Sequence, residues 1–141
     1  MPTYVYVSNA TDGTIGMYEM ARATGALAAL GIVPAGPNVM PMAVSPDRRH
    51  LYAAIRSTPF QVVTFAIDAA SGHLARKATA PLPESMCYIT VGTSGRHLLQ
   101  ASYGGNLAAV SPIAGPRRNA PASVRRTQAP EAPRRPIPAT L

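Results

Sequence analysis

Few side chains in this 141-residue sequence are of a type and spacing that could do chemistry. Arg56 and Tyr103 lead the set, because each closes an apolar run and opens a turn where a ligand could be met. An arginine there can hold a phosphate group in a fork of two hydrogen bonds; the competing reading is an ordinary surface arginine. Met42 is a third candidate for contact with a ligand, with core packing as its competing role. His50, His73 and His97 are spread along the chain, and no Cys/His/Asp spacing suits a metal. A Cys87/His97 nucleophile pair rests on co-occurrence alone, since the lowered thiol pKa it requires is not legible in sequence. There is no Gly-x-Ser-x-Gly elbow. Neither a catalytic set nor a cofactor is called for by these residues.

The elements that would position them follow from a repeat. Slid by 47 residues, the chain falls on itself without a gap. Arg49-His50-Leu51-Tyr52 meets Arg96-His97-Leu98-Leu99, and Thr24-Gly25-Ala26-Leu27 meets Ser71-Gly72-His73-Leu74. Pro34 meets Pro81, and Tyr4 to Val7 meets Leu51 to Ala54. A period of this length with four strands per unit is the signature of a propeller blade. In the second unit the expected strands are Met42–Ser45, His50–Ile55, Gln61–Ile67 and Leu74–Ala80. Pro46-Asp47 makes the first turn, since proline presets φ and the aspartate bonds its own backbone. The first unit begins at its second strand, Tyr4–Ser8, and continues through Ile15–Met20 and Ala28–Val33, with Asp12-Gly13 as a hairpin turn. The third opens with Cys87–Val91 and His97–Ser102, turns at Gly104-Gly105, and starts another strand at Leu107.

Leu51 to Ile55 is hydrophobic on both faces, so it must be covered on both sides. The expected fold class is therefore all-β: a partial β-propeller of about two and a half four-stranded blades. Arg56 and Tyr103 each follow a second strand, on the loop side that lines the central face of such folds. Met42 opens an innermost strand, and Cys87 reads as a small buried hydrophobe. His50 and His97 stand at repeat-equivalent strand entries and read as solvated.

Charge divides the chain at Ile113. Residues 1–113 carry seven basic and five acidic side chains, whereas 114–141 carry six arginines and Glu131. The net charge of +7 thus belongs mostly to the tail. Residues 114–141 are largely Ala, Pro and Arg, and six prolines forbid a continuous ladder or helix. A disordered basic tail is expected. Its paired arginines suit phosphate contact, but no interleaved aromatics offer base stacking, so nucleic acid is disfavoured as a partner. Pro130-Glu-Ala-Pro133-Arg-Arg135 also has the shape of an SH3 ligand. The abrupt change in mid-blade is how a shifted frame in GC-rich DNA reads, and this is the favoured expectation. No apolar run reaches membrane-helix length and no leader pattern opens the chain. One cysteine excludes an internal disulfide framework, as expected of a cytoplasmic protein.

Met42-Ala-Val-Ser-Pro-Asp-Arg-Arg-His-Leu-Tyr52 resembles the blade signature of the lactonase-type seven-bladed propellers. These include the bacterial propeller-type 6-phosphogluconolactonase and the fungal carboxymuconate lactonising enzyme. Gly95-Arg-His-Leu-Leu-Gln-Ala-Ser-Tyr-Gly-Gly-Asn106, followed by Val110-Ser-Pro-Ile113, resembles the third-blade strand pair at the corresponding place. The resemblance covers Thr3 to Ile113, roughly the first third of such a protein. It implies metal-free hydrolysis of a small-molecule sugar lactone in the oxidative pentose phosphate route. The His, Arg and Glu proposed for that chemistry lie in later blades, so no catalytic residue carries over. The expectation is a truncated lactonase, inactive as this chain and prone to self-association through exposed blade faces. A non-enzymatic repeat module that builds a ring from several chains is the alternative.

Overall fold

A computed structural model describes residues 1–113 and the backbone of Thr127–Gln128. Among them are eleven strands in three antiparallel sheets and no helix. The first sheet joins β1 (Thr3–Asn9), β2 (Thr14–Met20) and β3 (Leu27–Pro34) in chain order. The second joins β4 (Val39–Val44), β5 (His50–Ile55), β6 (Gln61–Ile67) and β7 (Leu74–Pro81). The third joins β8 (Tyr88–Val91), β9 (His97–Ser102), β10 (Leu107–Pro112) and β11 (Thr127–Gln128). These are successive four-stranded blades of a propeller, the first lacking its innermost strand among the described residues.

The turns form for local reasons. In the β4–β5 hairpin the Ser45 hydroxyl bonds Asp47 Oδ1 at 2.5 Å, and the Arg49 N–H donates to the same oxygen at 3.0 Å. The His50 N–H donates to Ser45 Oγ at 3.0 Å. These bonds satisfy a backbone whose Arg48 sits at φ 58°. The carboxylate is held below its ordinary pKa, chiefly by the Ser45 hydroxyl and then by the Arg49 N–H. Asp68 does the same work in the β6–β7 turn, where the Ala70 and Ser71 N–H groups depress it.

Packing explains why β5 is apolar on both faces. Leu51, Ala53 and Ile55 enter one buried cluster with Ile15, Met17, Val39, Val63 and Phe65, between the first two blades. Tyr52 and Ala54, pointing the other way, join Val62, Leu82, Met86, Ile89 and Leu98 between the second and third blades. Strand period two thus feeds two cores from one strand. The first two blades are also stitched by the Tyr4 and Tyr6 hydroxyls, which donate to the Ala70 and Gly72 carbonyls at 2.7 and 2.8 Å. Burial raises the pKa of both phenols. On the far sides, Val7 and Ile32 of the first blade and Leu99 and Val110 of the third stay exposed.

Two expectations need correction. Cys87 is exposed: it lies just before β8, and its thiol donates to the Ala101 carbonyl at 3.3 Å instead of entering a core. The innermost strand of the second blade starts at Val39, earlier than Met42, because Val39 pairs with Ile55 ahead of a register shift. The expected disordered tail falls outside the described residues except at Thr127–Gln128. There the backbone pairs with Ala108 and Leu107 along the free ladder edge of β10.

Candidate functional site: the upper loop face

Alternation of strand direction places the β1–β2, β5–β6 and β9–β10 turns at one end of the blades, with the β3–β4 and β7–β8 crossovers. This upper face is continuous in its hydrogen bonding. Ala35 and Gly36 donate to the Gly13 carbonyl at 2.9 Å, and Asn38 donates to Ala10 at 3.1 Å. The Arg56 N–H donates to Asn38 at 3.2 Å, and Leu82 donates to Phe60 at 2.9 Å. Four loops, β1–β2, β3–β4, β5–β6 and β7–β8, are therefore tied into one surface.

Arg56 stands near its middle, between an inner strand and the next crossover. Its Nε–H donates to Ser85 Oγ at 3.2 Å and an Nη1–H points to Met40 Sδ at 3.4 Å. Both partners are uncharged, and the guanidinium remains exposed. Beside it the Asn38 amide donates to Ser57 Oγ at 2.6 Å. Ser85 is fixed in turn: its N–H meets Glu84 Oε1 at 2.8 Å, and its carbonyl accepts from the Ser102 hydroxyl at 2.7 Å. Ser102 is 5% exposed, and its Oγ also accepts the Gly105 N–H at 3.0 Å. A Cβ at Gly105 would overlap Glu84 Cγ, so a side chain there would have to displace Glu84.

Tyr103 lies on the same face, 91% exposed, on the turn that Ser102 anchors. Met42 sits lower on β4, half-buried against the first core. Sequence reasoning thus brought Arg56 and Tyr103 to one surface, with Met42 beneath it. It missed Ser85 and Glu84, whose only sequence signal is their position just before an innermost strand.

The histidines lie at the other end. His50 and His97 begin the strands that Arg56 and Tyr103 follow, and His73 opens β7 from the lower side. His50 and Arg56 lie six residue steps apart along extended chain, about 20 Å at the usual rise. None of them can act on a group held at Arg56. His50 is half-buried, its ring 6.4 Å from that of Tyr52, so it is less solvated than expected. A shallow depression lined by Glu19, Met20, Ala21 and Ala26 also lies at the lower end. Among the described residues no His/Cys/Asp/Glu cluster could hold a metal ion.

A family model described as "Lactonase, 7-bladed beta-propeller" matches residues 4–136. The chain belongs to this lactonase family. The match runs past Ile113, the boundary that composition suggests. A 6-phosphogluconolactonase of Serratia proteamaculans is 42% identical over 113 residues, covering 80% of this chain and 33% of that protein. One from Xenorhabdus nematophila is 37% identical over 113 residues, covering 80% of this chain and 34% of its own. The chain thus spans about a third of the length of the curated lactonases it matches. The solved periplasmic gluconolactonase of Pseudomonas aeruginosa shares the fold, with a TM-score of 0.72 at 22% identity over 91% of this chain and 39% of that one. Among the described residues no helix is long and apolar enough to cross a membrane.

Proposed function

We propose that this chain supplies the opening blades of a sugar-lactone hydrolase of the 6-phosphogluconolactonase kind, with the upper loop face as its contribution to the substrate site. The observation that carries the reading is the 42% identity over 113 residues to the Serratia proteamaculans protein of that name. Hydrolysis adds water to the lactone carbonyl, passes through a tetrahedral oxyanion, and breaks the ring C–O bond. Arg56 suits the second of these steps and any anionic group of the substrate: it can hold the developing oxyanion or that group by directed N–H donors. Tyr103 offers an exposed hydroxyl and ring on the same surface. Met42 packs lower on β4, against the core between the first two blades.

We assign the proton-moving groups to parts of the protein outside these residues, since the three histidines here sit at the wrong end of the strands. A polypeptide of these 141 residues alone is therefore expected to leave the lactone intact. The cytoplasm is the proposed setting, because an exposed, single Cys87 would be open to intermolecular pairing in an oxidising compartment. The test is a graft in which residues 1–113 replace the matching segment of the Serratia proteamaculans protein. Hydrolysis of 6-phosphogluconolactone by the graft, with none by the 141-residue chain, supports the reading. A folded graft without turnover refutes it.

A further inference from the structure

We propose that Arg56 is an oxyanion subsite positioned by a relay of two serines, Ser85 and Ser102. The proposal rests on the reading that the upper face meets a ligand, and goes beyond it in naming the residues that aim the guanidinium. An exposed arginine loses side-chain entropy when it is fixed, so one that donates through Nε is being directed by its acceptor. Ser85 Oγ takes the Nε–H, and the Met40 sulfur faces an Nη1 hydrogen. Neither neutralises the charge, and the remaining N–H donors of the fork are left for an anion.

Ser85 is itself not free to turn away. Its carbonyl is gripped by the Ser102 hydroxyl, and Ser102 is buried under the turn that carries Tyr103. The Gly105 N–H closes the chain of bonds from the other side. Three loops from two blades therefore aim one cation. Ser85 and Ser102 are positioning residues, acting through Arg56 without touching the ligand.

The experiment uses the 15N-labelled 141-residue chain and inorganic phosphate, with acetate and chloride at matched ionic strength. Phosphate is expected to move the Arg56 Nε–H signal saturably, chloride not at all; acetate moving it as well would assign a site for carboxylates and phosphates alike. Ser85→Ala should weaken binding about five- to tenfold and Ser85→Thr should restore it, as loss and return of one hydrogen bond to a charged group. Ser102→Ala should weaken it about threefold, and Arg56→Lys about tenfold, since a point charge replaces the fork. A response shared with chloride, an unchanged affinity in Ser85→Ala, or a spectrum with the Ser85 and Gly105 amides at random-coil positions overturns the proposal. Phosphate binding in a protein whose graft hydrolyses no lactone would leave this subsite standing and remove only the lactone reading.

Discussion

Gly25 and Gly72 are 47 residues apart and share one backbone conformation, φ 74° and 72°, yet their surroundings differ. A Cβ at Gly25 would meet nothing within 4 Å, whereas one at Gly72 would fall 2.6 Å from Tyr4 Cγ and 2.7 Å from Cε1. Gly25→Ala should therefore cost only the left-handed backbone penalty, about 1–2 kcal/mol. Gly72→Ala should cost that and a further 1–3 kcal/mol or so, because a rigid ring in a packed seam has to shift. The shift also endangers the Tyr4 and Tyr6 hydrogen bonds to the same turn. The difference between the two variants measures the contact between the first two blades and nothing else. Denaturant melts of both should separate them by at least about 1 kcal/mol, and Tyr4→Ala should recover much of the gap in the Gly72→Ala background. Equal costs at the two glycines would refute the packing of the first blade on the second.

Among the described residues the Oε1 of buried Gln100 has no partner, while its Nε2–H meets Ser111 Oγ at 2.6 Å. Removing both polar groups in Gln100→Leu with Ser111→Ala should be neutral or stabilising, whereas Ser111→Ala alone should cost about 1–2 kcal/mol. Asp47 and Asp68 are both held below the ordinary aspartate pKa when folded, Asp47 chiefly by the Ser45 hydroxyl and Asp68 by the Ala70 and Ser71 N–H groups. A depressed folded pKa adds stability above the unfolded value, so the denaturant midpoint should hold above about pH 4 and fall below it. Asp47→Asn should flatten that fall, and an unchanged slope would count against the turn geometry. Cys87 should react with a disulfide reagent in native buffer as fast as in denaturant, and a protected thiol would restore the buried reading.

Much of this fold is legible in the sequence because each blade repeats strong local signals. Proline, aspartate and glycine mark the turns, and β5 displays two apolar faces because two neighbouring blades bury it. The start of β4 is not legible, since a register shift after Val39 hides the pairing behind Pro41. Cys87 misleads because its residue type favours burial, whereas its fate depends on which side of β8 a neighbour covers. At the site, Arg56 and Tyr103 stand out through their places after second strands. Ser85, Glu84 and Ser102 do not, because their roles arise from a crossover meeting a turn some twenty residues away, which no local pattern encodes.

The most direct test of the central claim, that ligand chemistry belongs to the upper loop face, compares two alanine variants in the Serratia graft. Arg56→Ala should lower kcat/KM at least tenfold, and His50→Ala at the opposite end should leave it within about twofold. A graft that tolerates loss of Arg56 but fails without His50 would contradict the account.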